Sequence, residues 1–269
     1  MYASKSNADM TQDIRLFLIH WFDQYVNRYR GEGGILPATL ELKYAHSLRV
    51  AENARLIACG LVLEQQDVIL AEGCGLLHDI GRFAQYDCYG SFSDADTVDH
   101  GLQGRLTLET EALPERFNTS DWAGIACAVE YHNRKTDDIP ADLPADARRL
   151  LKIIRDADKL DIMDLVLQSV IRDGFLDLPG MLPHIRLSRE LTPDVIEEIR
   201  KGKSISISKL RTLADFLLML ASWFYDLNYS LSVKLAVSRN ILQRLERELP
   251  DHRLVRKMLE DIKTTLTKR

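Results

Sequence analysis

The sequence has no Cys-x-x-Cys pair, no apolar run long enough to cross a bilayer, no strand-like alternation of useful length and no excess of positive charge. Each absence excludes something. The four cysteines, Cys59, Cys74, Cys88 and Cys127, are widely spaced in mostly apolar helical contexts, where a reduced thiol behaves as a small hydrophobe; they are expected to be core residues in a reducing cytoplasm. The most apolar run, Phe216 to Tyr225, is bounded by Asp215 and Asp226 and too short for a membrane span, and the polar first ten residues show no secretory signal. A soluble, cytoplasmic protein with no membrane partner is expected. A formal net charge of -5 and a pI near 5.8 give no general reason to bind nucleic acid. The basic end, with Arg253, Arg256, Lys257, Lys263, Lys268 and Arg269, reads as a solvated face. With 46% hydrophobic and 28% charged residues, the 269-residue chain is globular in composition and has material for a sizeable core.

What is present is helical periodicity. Apolar residues at Ile14, Phe17, Leu18, Trp21, Tyr25 and Tyr29 predict a helix over Thr11 to Arg30, ended by Gly31-Glu32-Gly33-Gly34. Further helices are predicted over Thr39 to Cys59, stopping at Gly60, and over Gln66 to Ile80, stopping at Gly81; a polar and aromatic loop then runs to about Val98. His100 opens the next helix, to about Ala112, and His132 closes the one after, which starts at Thr119, Ser120 and Asp121. Beyond the loop from Pro140 to Pro144, a long helix over Asp146 to Arg172 surrounds Asp158 with apolar residues. The last third predicts helices near Thr192 to Lys201, Lys209 to Asp226, Leu231 to Leu249 and Asp251 to Thr267, broken at Gly174, Gly180, Gly202 and Pro250. Ser204 to Ser208 is an isolated period-two stretch, read as an extended linker. The fold class is all-α.

A His-Asp dipeptide is weak evidence, since seven histidines and 25 aspartates make roughly 0.6 such pairs expected by chance. The setting of His78-Asp79 is more specific: Gly75-Leu76-Leu77-His78-Asp79-Ile80-Gly81-Arg82, with His46 on the preceding helix, His100 and His132 downstream, and Asp158 in Arg155-Asp156-Ala157-Asp158-Lys159-Leu160-Asp161. This pattern resembles the HD-domain metal-dependent phosphohydrolase superfamily over about 40–172, in the extended order His, His-Asp, His, His, Asp. The resemblance implies an HD-domain, phosphodiesterase-like helical bundle. Residues 1–269 would form a single domain, with a metal-binding core at about 40–172 and a C-terminal helical extension at about 190–269.

The resemblance also implies two divalent metals, Mn, Fe, Co, Ni or Zn. His46, His78, Asp79 and Asp158 would hold one, and Asp79, His100 and His132 the other, with Asp79 bridging. Imidazole and carboxylate ligands suit such borderline cations, and the implied chemistry is hydrolysis of a phosphoester or phosphoanhydride by a metal-activated water. Arg82, three residues after Asp79, and Lys159, next to Asp158, are the phosphate contacts expected to join Asp79 in the catalytic set; Arg105, Arg134 and Lys135 are further candidates.

The cyclic-di-nucleotide phosphodiesterase branch has a second histidine where Asn133 stands, and a downstream Gly-Tyr-Pro that this sequence lacks. The branch of symmetrical diadenosine tetraphosphate hydrolases is the closer analogy, so the expected substrate is a nucleotide or another small phosphorylated compound. Alternatives on the same ligand set are a di-iron oxygenase and a non-catalytic regulatory or binding module. Tyr86, Tyr89 and Phe92, in the loop from Phe83 to Asp99, could stack a nucleobase or simply pack the loop onto the core. Leu213 to Tyr229 could cover the catalytic bundle or form a homodimer interface. Any histidine taken alone is more simply a hydrogen-bonded core residue, and His20, His184 and His252 keep that reading.

Overall fold

Apolar residues recurring every three to four positions turn most of the chain into helices with one buried face. The computed structural model describes residues 7–111, 113–176, 178, 182, 184–201 and 205–266. Ala112, Gly180, Gly202, Ser204, Thr267, Lys268 and Arg269, which figure in the predicted boundaries and basic end, lie outside the described residues. Among the described residues there is no strand, only one isolated bridge between Arg186 and Thr212. The all-α expectation holds.

Two compact units divide the chain, Met1–Asp161 and Ile162–Arg269. The first contains α1 (Asn7–Asn27), α2 (Ala38–Gly60), α3 (Gln65–Leu77), α4 (Gly81–Tyr89), α5 (His100–Thr110), α6 (Thr119–Tyr131) and the larger part of α7 (Ala145–Asp173). The second contains α8 (Pro193–Arg200), α9 (Leu213–Ser222), α10 (Ser230–Ser238), α11 (Ile241–Glu248) and α12 (Arg253–Leu266).

In the first unit α2 and α3 lie against each other, α3 also meets α1 and α6, and α5 packs between α4 and α6. Val50, Ala54 and Ile57 of α2, Ala71, Cys74 and Leu77 of α3, and Ile153, Ile154 and Ala157 of α7 are almost wholly removed from water. Each large aliphatic among them contributes about 1.5–3 kcal/mol of burial. Phe83 closes one end, edge-on to Phe22 and Tyr25. In the second unit Leu213 to Ala221 are all buried, with Leu245 and Ile262 in the same unit's core.

Several boundaries differ from the sequence expectation. Gly81 starts a helix instead of ending one, and the expected loop after it is helical as far as Tyr89, closed by Gly90 with φ of 63°. Glycine is selected at position 81 by close approach: a Cβ there would lie 2.2 Å from the carbonyl oxygen of His100 and 2.6 Å from the nitrogen of Gly104. The helix expected over Leu231 to Leu249 breaks at Asn240, whose φ of 55° is left-handed. The one over Lys209 to Asp226 resolves into two short 3-10 turns flanking α9, and Ile207–Lys209 curls the expected linker. Cys74 and Cys127 are buried as expected, but Cys59 and Cys88 are exposed. His20 and His184 are exposed and His252 half-buried, so none of the three is a core residue.

No helix of the described residues is long and apolar enough to cross a membrane. Gly81→Ala is expected to destabilise the first unit by about 2 kcal/mol or more, because both obstructing atoms are backbone. Thermal unfolding checks this against Gly31→Ala, whose nearest neighbour at 3.9 Å leaves room for a methyl group and predicts little change.

Candidate metal centre

The centre is assembled on helix ends. On α2, Lys43, His46, Arg49 and Asn53 follow one another at three- and four-residue steps and so share a face. His78 and Asp79 leave the C-terminal end of α3, where the last carbonyls have no helical partner. His100 is the first residue of α5, whose cap is Asp99, its side chain accepting from the Leu102 amide at 3.0 Å. His132 caps the end of α6. Asp158 and Asp161 lie three residues apart on α7, again on one face.

Each of the four histidines anchors its Nδ1 to an oxygen. His78 donates to the Gly75 carbonyl at 2.7 Å and His132 to the Val129 carbonyl at 2.8 Å, in each case a free carbonyl one turn back. His46 meets the Asp161 carboxylate and His100 the Asp94 carboxylate, both at 2.6 Å. These acceptors place a proton on Nδ1 of each ring and turn Nε2 inward. The four Nε2 atoms converge in two pairs, His46 with His78 at 3.3 Å and His100 with His132 at 3.0 Å.

Asp79 stands between the pairs. Its Oδ2 is 3.7 Å from His46 Nε2 and 3.6 Å from His78 Nε2, while its Oδ1 is 3.3 Å from His100 Nε2 and 3.6 Å from His132 Nε2. Asp158 Oδ1 adds a fourth donor to the first pair, 3.1 Å from His46 and 3.8 Å from His78.

Ligands at about 2.1 Å from one cation sit about 3.0 Å apart in an octahedron and about 3.4 Å apart in a tetrahedron. The observed separations bracket those values, so His46, His78 and Asp79 could hold one cation, with Asp158 in reach, and Asp79, His100 and His132 a second. Two ring nitrogens 3.0 Å apart need a proton or a cation between them, and a divalent cation on the Asp79 side of the pair would meet that need, so the donor set fits a metal.

Electrostatics differ between the donors. Burial lowers the His46 imidazole, but its hydrogen bonds to the Asp158 and Asp161 carboxylates outweigh that and raise it above its ordinary value, so a cation bound there would have to displace a proton. Burial pulls the His78 imidazole down to about 3, so it is neutral and available as a ligand at pH 7. Burial opposes ionisation of Asp79, yet the Lys43 ammonium and the surrounding histidines hold its carboxyl well below the usual range. Asp158 is likewise held below the usual carboxylate range, burial being outweighed chiefly by its hydrogen bond with His46.

Arg82 lies on the first turn of α4 with Nε 3.7 Å from Asp79 Oδ1, and its Nη1 donates to the carbonyl of Phe92 at 2.6 Å and to Asp94 at 2.8 Å. Lys159 is buried on α7 at the position beside Asp158, about 100° round the helix from it. Arg105 is paired with Glu109 and Glu130, Arg134 with Asp99 at 2.5 Å, and Lys135 is exposed.

Three groups at the centre were not singled out by the sequence reading. Lys43 donates to Asp79 Oδ2 at 2.7 Å, Asp161 holds His46 and is itself held by Arg49 at 2.6 and 3.0 Å, and Asp94 holds His100. The register signal for the first two was present, one turn from His46 and from Asp158. Asp94 has none, since it reaches His100 from an irregular segment. Tyr86 and Phe92 pack on each other with centroids 5.0 Å apart.

Residues 44–163 match the family described as the HD domain. No curated protein and no solved structure matches the chain.

Removing the partner that orients a metal-binding histidine lowers metal affinity about 10–100-fold. Asp161→Ala is therefore expected to weaken the cation held through His46, and Asp94→Ala the one held through His100. Calorimetric titration of each apo variant with manganese measures this, and affinities equal to wild type would show that neither carboxylate orients a ligand.

Proposed function

We propose, on the premise that residues 44–163 are an HD domain, that this protein is a metal-dependent phosphohydrolase acting on a nucleotide or another small phosphorylated compound. HD domains are for the most part such enzymes. The observation that carries the reading here is the sharing of one carboxylate, Asp79, between two inward-facing histidine pairs.

In this reading His46, His78, Asp79 and Asp158 hold one divalent cation and Asp79, His100 and His132 the other. Bound there, the pair would supply a water acidified towards neutral pH and Lewis-acid stabilisation of phosphoryl oxygens. The residues of the chain do the rest. Asp161 and Asp94 keep the His46 and His100 imidazoles in one tautomer and one orientation. Arg82 has a buried Nε without a hydrogen-bond partner beside Asp79 Oδ1, a donor suited to an oxygen of the phosphoryl group. Lys159, adjoining Asp158, is the other proposed phosphate contact. The buried walls of α2, α3 and α7 exclude bulk water and strengthen these charges.

The manganese-loaded protein, incubated without oxygen with nucleotides, dinucleoside polyphosphates and sugar phosphates, is expected to release phosphate or nucleotide products detectable by mass spectrometry. Asp79→Ala should lose both cations and all turnover, and His132→Ala chiefly the second cation. Full activity in Asp79→Ala would overturn the site. Turnover only with iron and dioxygen would overturn hydrolysis in favour of an oxygenase on the same ligands.

A further inference from the structure

Lys43 is the cation closest to the Asp79 carboxylate among the described residues. Its ammonium donates to Asp79 Oδ2 at 2.7 Å, the same oxygen that faces His46 and His78. It stands one helical turn before His46 and keeps 18% of its side chain exposed, so the side chain connects the centre with its solvent edge. Its nitrogen is 5.6 Å from the centroid of Phe92, and the Arg82 guanidinium is 5.7 Å from the same ring. Lys43 and Arg82 thus flank one aromatic side chain and approach opposite oxygens of Asp79, Oδ2 and Oδ1.

A buried carboxylate without a counter-charge is costly, and Lys43 supplies that charge when no divalent cation is bound. A divalent cation on Oδ2 would do the same for the same oxygen and would repel an ammonium beside it. The four-carbon stem lets Lys43 withdraw from Oδ2 towards that edge.

We infer that Lys43 is a further cationic contact for the substrate phosphate, beside Arg82 and Lys159, held on Asp79 until a metal displaces it, and that it selects a terminal, dianionic phosphoryl group over a diester. This rests on the hydrolase reading. Charge matching carries the selectivity: Arg82 is paired with Asp94, Arg49 with Asp161, and Lys159 has a partner of its own within the protein, so Asp79, Asp158 and Lys43 are the charges counted with the metals. With two divalent cations and one hydroxide nucleophile, roughly two positive charges are left over, matching a phosphomonoester dianion; without Lys43 roughly one is left over, matching a diester monoanion.

Two calorimetric titrations test this without relying on turnover. Apo Lys43→Met and Lys43→Gln, each confirmed as folded by its unfolding transition, should bind manganese several-fold more tightly than wild type, because a competing cation is gone. The manganese-loaded variants should bind inorganic phosphate about tenfold more weakly, with Lys43→Arg restoring most of the loss, while dimethyl phosphate binding changes little. Manganese binding no tighter than wild type, or phosphate and dimethyl phosphate weakened alike, would overturn the inference. If wild type shows this binding pattern but turns over no phosphorylated compound, the hydrolase reading falls and the Lys43 contact stands.

Discussion

One carboxylate, that of Asp79, sets the terms for everything around it. It is almost wholly buried, each of its oxygens faces a pair of imidazole nitrogens, and its charge must be met from within the protein. A buried unpaired carboxylate would otherwise take up a proton or unfold its surroundings. The chain meets that demand with Lys43, Arg82 and a histidine set that could hold cations. A divalent cation bound among these donors would meet the same demand.

The scaffold keeps this group together by bringing backbones close. Gly81 lies against the backbone of His100 and Gly104, and Gly101 against the carbonyl of Glu130, so α4, α5 and α6 approach one another closely at glycines. That contact joins Asp79, His100 and His132 although they come from different helices. On the other side, Asn53 donates to the Ala157 carbonyl and Asp161 meets both His46 and Arg49, fixing α2 to the stretch of α7 that carries Asp158. Second contacts of this kind determine whether a donor set is merely nearby or correctly aimed.

Much of this was legible in the sequence, and the remainder has physical reasons. Period-3.6 hydrophobicity located the helices that carry His46, His100, His132 and Asp158, and the His78-Asp79 setting pointed to an HD domain. Gly81 was read as a stop because glycine commonly ends helices; here its lack of a side chain serves a contact with α5 that no local pattern encodes. Asn240 breaks a predicted helix through a left-handed backbone that asparagine tolerates but does not announce. Lys43 and Asp161 sat at the right spacing, yet a charged residue one turn from a histidine is ordinarily a solvated face. Asp94 is one of several aspartates in its segment, and only the three-dimensional path brings it to His100.

The central claim, that Asp79 is shared by two cations, is tested most directly by anomalous diffraction from crystals of the manganese-loaded protein. The account predicts two anomalous peaks about 3.5–4 Å apart, one between His46 and His78 and the other between His100 and His132, with an oxygen of Asp79 on each. A single peak, or peaks that leave either histidine pair without a metal, would contradict it.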